Sequence, residues 1–125
     1  MSINQLKKEF LRFTIAGICA VVTDFIVYFI LLKILPPNFA KGISFLLGTI
    51  IAYFINKFWT FEKMEKSIKE IIRFGVLYLS TLIVNVGVNE ITLNLSNDKF
   101  IIAFLVATGF SAILNFVGQK WWVFK

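Results

Sequence analysis

Four apolar stretches decide what this chain can fold into. Phe13 to Leu32 carries Asp24 as its only charge, Phe39 to Phe58 has Lys41 and Lys57 near its ends, Phe74 to Leu95 contains only Glu90, and Phe100 to Gln119 has no charge. Each is close to the ~20 residues a helix needs to cross a ~30 Å hydrocarbon core. A hydrophobic content of 58% with a mean hydropathy of +0.83 belongs to a membrane protein, not to a soluble domain of 125 residues. Lipid offers no partner to free backbone groups, and the sequence shows no alternating strand pattern. The expected class is therefore all-α, an integral membrane protein with four transmembrane helices. The first stretch reads as a retained span, since it holds an aspartate and leads into "KILPPNFAK" instead of a small-residue cleavage site.

Charge is distributed by topology. Of the 13 Lys and Arg, Lys7, Lys8 and Arg12 lie at the N-terminus, Lys57, Lys63, Lys66, Lys69 and Arg73 around the central loop, and Lys120 and Lys125 at the C-terminus. Only Lys33, Lys41 and Lys99 remain for the two other loops. The positive-inside rule then predicts cytoplasmic termini and a cytoplasmic central loop, with "LPPNF" and "LSNDK" facing outward. The net charge of +6 is expected to meet anionic headgroups of membrane lipids, not nucleic acid. With no histidine and one cysteine, Cys19, a structural zinc site, a His-based triad and an intrachain disulfide are all excluded. No Walker A loop, GxSxG or metal cluster is present, so the expectation is a non-enzyme without a cofactor.

The chain also repeats itself. Arg12 and Phe13 are answered by Arg73 and Phe74, Asp24 by Asn85, and Lys57, Trp59 and Phe61 by Lys120, Trp122 and Phe124. The offset is 61 in the odd spans and 63 in the even ones. Ala40, Ser44, Gly48 and Ala52 recur as Ala103, Ala107, Ser111 and Asn115, a low ridge at every fourth position that permits close helix approach. Each half holds two spans, so the repeat is parallel: two helical hairpins, about 12–61 and 73–124, in a single membrane domain. "NKFWTF" and "QKWWVF" then mark the same place in each hairpin, where tryptophan suits the headgroup level and lysine either snorkels or meets a phosphate. In "EKMEKSIKEIIR" the apolar Met64, Ile68, Ile71 and Ile72 have helical spacing, and Glu62 to Lys66 and Glu65 to Lys69 are i, i+4 pairs. An interfacial helix there competes with a solvated linker, and "INQLKKEF" raises the same choice.

Polar groups at membrane depth are the candidate site. Asp24 lies eleven residues after Phe13, ~16 Å into the bilayer, where a carboxylate costs ~2.5 to 3.5 kcal/mol and needs a partner, a proton or water. With Ala16 or Gly17, Ala20 and Thr23 it forms a small polar face that must look inward. Span three offers a matching stripe of Tyr78, Thr81, Asn85, Asn89 and Thr92, with Asn85 at about the depth of Asp24. Facing stripes would enclose a polar cavity; a bond between Asp24 and Asn85 that merely holds the helices together is the plainer reading, worth ~0.6 to 2 kcal/mol. Glu90 falls near the outer surface, and Asn115 serves either a cavity or packing.

"RFTIAGICAVVTDFIVYFILL" with "FLLGTIIAYFINKFWTF", then "RFGVLYLSTLIVNVGVN" with "FSAILNFVGQKWWVF", resembles the GtrA family of small four-span membrane proteins from about Arg12 to Phe124. The N-(K/R)-x-W-x-F ending of span two, its echo at the C-terminus and the Thr23-Asp24 pair carry the likeness. Two positions depart from it: Gln119 stands opposite Asn56, and Val84-Asn85 opposite Thr23-Asp24, so only one half has the carboxylate. The resemblance implies translocation of undecaprenyl-phosphate-linked monosaccharides for glycosylation of surface polymers, with glycosyltransferases as partners on both sides. The lipid phosphate would meet Lys57 and Lys120, with Asn56, Arg12 and Arg73 near the same level, while Asp24, Asn85, Asn89 and Asn115 would serve the sugar. Two other readings stay open: a non-transporting subunit that anchors a polyprenyl-phosphate glycosyltransferase, and a small proton-coupled multidrug exporter. Four helices are few to enclose such a pathway, which is compatible with a homo-oligomer.

Overall fold

A computed structural model describes residues 2–125. The chain divides into two compact units, Met1–Glu65 and Lys66–Lys125, each a hairpin of two long helices, and no strand occurs among the described residues. In the first, α1 (Ile3–Leu31) returns through α2 (Pro37–Ile55) and ends in a π-helical turn, Asn56–Thr60. In the second, α3 (Ile68–Leu95) returns through α4 (Phe100–Gly118) and ends in a π-helical turn, Gln119–Val123. All four helices are long and apolar enough to cross a membrane. The expected all-α class with four membrane-length helices is observed.

Local chemistry sets the helix ends. Ser2 and Ser67 each begin a capping-box sequence, S-x-x-Q and S-x-x-E, and each side chain accepts from the N–H three residues on, at 3.1 Å from Gln5 and 3.4 Å from Glu70. Pro37 opens α2, where a missing N–H does no harm. At the far end of α3, Asn97 and Asp98 take positive φ of 56° and 62°, which short polar side chains tolerate. The Asp98 N–H then closes on the Leu93 carbonyl at 2.9 Å, the six-to-one bond of a Schellman end.

The low ridge packs each hairpin. On α2 the buried residues are Ala40, Ser44, Gly48 and Ala52, the ridge read from the sequence. A Cβ at Gly48 would sit 2.7 Å from the Ala20 carbonyl oxygen and 3.4 Å from Asp24 Cβ, so α1 and α2 touch backbone to backbone there. On α4 the ridge buries Ala103 and Ala107 while Ser111 and Asn115 are half-buried, and the tight place moves to Gly118, where a Cβ would run into the side chain of Leu77. Large apolar side chains such as Phe25, Leu46, Leu79 and Leu105 point outward, as lipid-facing residues do.

The central segment differs from the interfacial helix considered for it. Residues 61–67 are not helical, and helix begins only at Ile68 behind its Ser67 cap. Glu62 has a φ of 53°, which breaks the helix the i, i+4 pairs would need. "INQLKKEF" is helical, but as the first turns of the continuous α1. At 29 residues α1 is about 43 Å long, more than the hydrocarbon core requires.

Candidate functional site

Two polar clusters stand out in the first hairpin. Near the α1–α2 turn, the Ser44 hydroxyl donates to Asp24 Oδ1 at 2.6 Å, with the Lys41 carbonyl 3.0 Å away as a second acceptor. Lys41 Nζ donates to Asp24 Oδ2 at 2.7 Å and lies 5.7 Å from the Tyr28 ring centroid. Both carboxylate oxygens of Asp24 are thus engaged from α2. The inward face of α1 runs through buried Ala16, half-buried Ala20 and Asp24; Gly17 is exposed with open space beside it. Asp24 is seven residues from the end of α1, about 10 Å along the helix, nearer the turn than the count from Phe13 suggests.

The second cluster surrounds the first π turn. The Phe61 N–H donates to the Asn56 carbonyl five residues back at 2.8 Å, and Lys63 N–H to the Lys57 carbonyl at 2.7 Å. Within this wide turn Asn56, Lys57 and Thr60 are buried, and Thr60 Oγ1 donates to Asn56 Oδ1 at 2.9 Å. Lys57 does not reach outward; its ammonium donates to the Glu65 carbonyl and lies 5.7 Å from the Phe58 ring centroid. Arg12 fastens the turn to α1: Nη1 donates to the Trp59 carbonyl at 2.7 Å and to Glu62 Oε1 at 3.0 Å, with the guanidinium 5.0 Å from the Trp59 ring centroid. Lys8 adds a contact of 3.4 Å to the same Glu62 oxygen. Hydrogen bonds from Arg12 first and Lys8 second hold the exposed Glu62 carboxyl below the ordinary carboxylate range.

The second hairpin repeats the clamp and changes the interior. Arg73 Nη1 donates to the Trp122 carbonyl at 3.2 Å, and Phe124 N–H to the Gln119 carbonyl at 2.8 Å, so clamp and π turn both recur at the repeat positions. Lys120 is half-buried, with Nζ 5.4 Å from the Trp121 ring centroid. Along α3, Thr81 Oγ1 donates to Asn115 Oδ1 at 3.1 Å and Asn85 Nδ2 to Ser111 Oγ at 2.9 Å. Asn115 is therefore a contact between α3 and α4. Asn89, half-buried, follows Asn85 by one turn, and Glu90 is exposed near the end of α3. Asp24 and Asn85 each bond within their own hairpin.

Two features escaped sequence reading. Lys41 is the ionic partner of Asp24, a pairing that folding the hairpin back on itself about residues 32–36 would have shown, since it brings position 24 level with 41–44. Glu9 and Glu70 are both buried and stand 61 apart, in "EFLRF" and "EIIRF", one turn before each clamping arginine.

The transmembrane domain of the GtrA/DPMS family matches residues 12–124. Two proteins of Bacillus subtilis (strain 168) are similar over nearly the whole chain. The uncharacterized membrane protein YwcD is 23% identical over 119 residues, covering 90% of this chain and 94% of its own length. The uncharacterized membrane protein YngA is 29% identical over 135 residues, covering 99% and 84%.

Proposed function

Since this chain belongs to the GtrA/DPMS transmembrane family, we propose that it moves a polyprenyl-phosphate-linked monosaccharide, of the undecaprenyl type, across the cytoplasmic membrane for glycosylation of a surface polysaccharide or teichoic acid. The family connects the chain to the membrane handling of polyprenyl-phosphate sugars; flipping is the specific activity proposed. The observation that supports it is Asp24, a carboxylate within an apolar span where the second hairpin manages with the uncharged Asn85. A charge at that depth is expensive and marks a polar pathway more often than a packing device.

In this reading the hairpin ends that bear the arginine clamps face the cytoplasm, where a glycosyltransferase loads the lipid. The cations at that level, exposed Lys7 and Lys8 with half-buried Lys63 and Lys120, draw the phosphate to the surface. Arg12, Arg73 and Lys57 act differently from a direct phosphate site, since each donates to a backbone carbonyl and shapes its hairpin end. Within the first hairpin Asp24 and Ser44 accept and donate to sugar hydroxyls, and Asn85 and Asn89 offer amides within the second. The isoprenoid tail stays in lipid. Movement is downhill, drawn by a second glycosyltransferase that consumes the sugar outside, and no bond is made or broken on this chain.

Reconstitution into liposomes with a defined polyprenyl-phosphate sugar tests the proposal. Wild-type protein is expected to move the sugar across the bilayer, and Asp24→Ala to lose that movement while still inserting. No movement by the wild type, together with a glycosyltransferase whose activity falls when this chain is removed, would replace the proposal with the anchoring-subunit reading.

A further inference from the structure

The ion pair of the first hairpin is not something the hairpin fold demands. At the positions related by the repeat, Asp24, Tyr28, Lys41 and Ser44 become Asn85, Asn89, Phe104 and Ala107. The second hairpin still packs through Ala103 and Ala107 and joins α3 to α4 with the neutral bond from Asn85 to Ser111. One hairpin is therefore an internal control for the other. No packing requirement explains Lys41, since the second hairpin packs with Phe104 at the same place.

The geometry of the pair assigns the roles. Asp24 is the sheltered member, with 18% of its side chain exposed and both oxygens occupied, whereas 58% of the Lys41 side chain is exposed. An ammonium has three donors, and Asp24 takes one of them. The Tyr28 ring on the adjoining face of α1 favours the cation further. Lys41 also stands four residues into α2, about 6 Å from its start at Pro37, close to the depth at which a lipid phosphate lies.

We infer that Lys41 binds the phosphate of the lipid-linked sugar at the α1–α2 end of its path, with Asp24 as the resident counter-ion that the phosphate displaces. The anion exchanges with the carboxylate for the ammonium, and Ser44 keeps Asp24 hydrogen-bonded while the exchange lasts. A counter-ion that must be displaced also limits retention, which lets the phosphate leave. The identity of the lipid rests on the proposed function; binding of the phosphate does not depend on flipping.

The test is a binding measurement on the full chain in phosphatidylcholine nanodiscs, with undecaprenyl phosphate as probe and undecaprenol as the uncharged control. Lys41→Gln is expected to weaken undecaprenyl phosphate binding by about tenfold, and Lys41→Arg to retain it. Asp24→Asn, which removes the competitor, is expected to tighten binding by about threefold or more, a gain that misfolding cannot imitate. Undecaprenol should respond to none of these changes. Weaker binding in Asp24→Asn would make the ion pair a structural element and overturn the inference, as would unchanged binding in Lys41→Gln. Equal displacement of the probe by phosphatidylglycerol would overturn the assignment to the substrate lipid. Binding through Lys41 without translocation would leave this inference standing and remove the proposed function alone.

Discussion

The two hairpins share their ends and differ in their interiors. Each second helix finishes in a π turn whose tryptophan carbonyl is held by an arginine from the first helix, Arg12 to Trp59 and Arg73 to Trp122. Between the helices the first hairpin carries an ion pair and the second carries amides and hydroxyls. The hydroxyl that meets the mid-helix polar residue has also moved by one turn, since Ser111 corresponds to Gly48 and not to Ser44. Where the first hairpin needs glycine for backbone contact with Ala20, the second has room for that serine. The shared parts hold the fold and the divergent parts are free for function.

The strongest way to break this comparison is to rewrite one interior as the other. The triple variant Asp24→Asn, Lys41→Phe, Ser44→Ala gives the first hairpin the residues of the second and is expected to keep its helix content and insertion while transport falls to the protein-free background. Retained transport would show that the charges are incidental. Next in size, Gly48→Ala places a methyl against the Ala20 backbone and should cost about 1–3 kcal/mol in thermal unfolding. At Gly118 the three atoms nearest an added methyl all belong to the half-buried side chain of Leu77, which can change rotamer, so the loss in Gly118→Ala should stay near or below about 1 kcal/mol. A smaller penalty at Gly48 than at Gly118 would contradict the backbone contact.

The clamps should differ more modestly. Arg73→Ala removes a bond to the Trp122 carbonyl, about 1 kcal/mol, whereas Arg12→Ala also releases Glu62 and the Trp59 ring and should lower the melting temperature further. The smallest effect is a pH dependence confined to the first hairpin. The Glu62 carboxyl is held below its ordinary value of 4.5, so its contribution is present above that value and fades as pH falls through the lowered one. Glu62→Gln should abolish this slight acid-side drop in melting temperature; in an exposed pair it should also shrink with added salt.

The sequence carried the architecture because lipid leaves so few choices. Apolar length announced the four helices, the offsets of 61 and 63 announced the hairpins, and the ridge of Ala40, Ser44, Gly48 and Ala52 is the face that packs. The site was less legible. Counting along one helix places Asp24 in depth but does not reveal its neighbour across the hairpin, so Lys41 looked like a loop cation. Lys57 looked like an anchor or a phosphate contact, because nothing in "NKFWTF" says that the turn is π-helical or that its lysine folds back to the Glu65 carbonyl. The αL residue at Glu62 was hidden for a similar reason: glycine normally signals such a stop, and here an ion pair with Arg12 and Lys8 accompanies it.

That Asp24 finds both its partners at 41 and 44 matters for how the protein is made. Once the ribosome has passed the central loop, the acid already has a cation and a hydroxyl within reach, so the nascent first half can leave the insertion machinery without waiting for the rest. Two separately translated halves, cut at the boundary between Glu65 and Lys66, should each enter the membrane as an ordered helical pair.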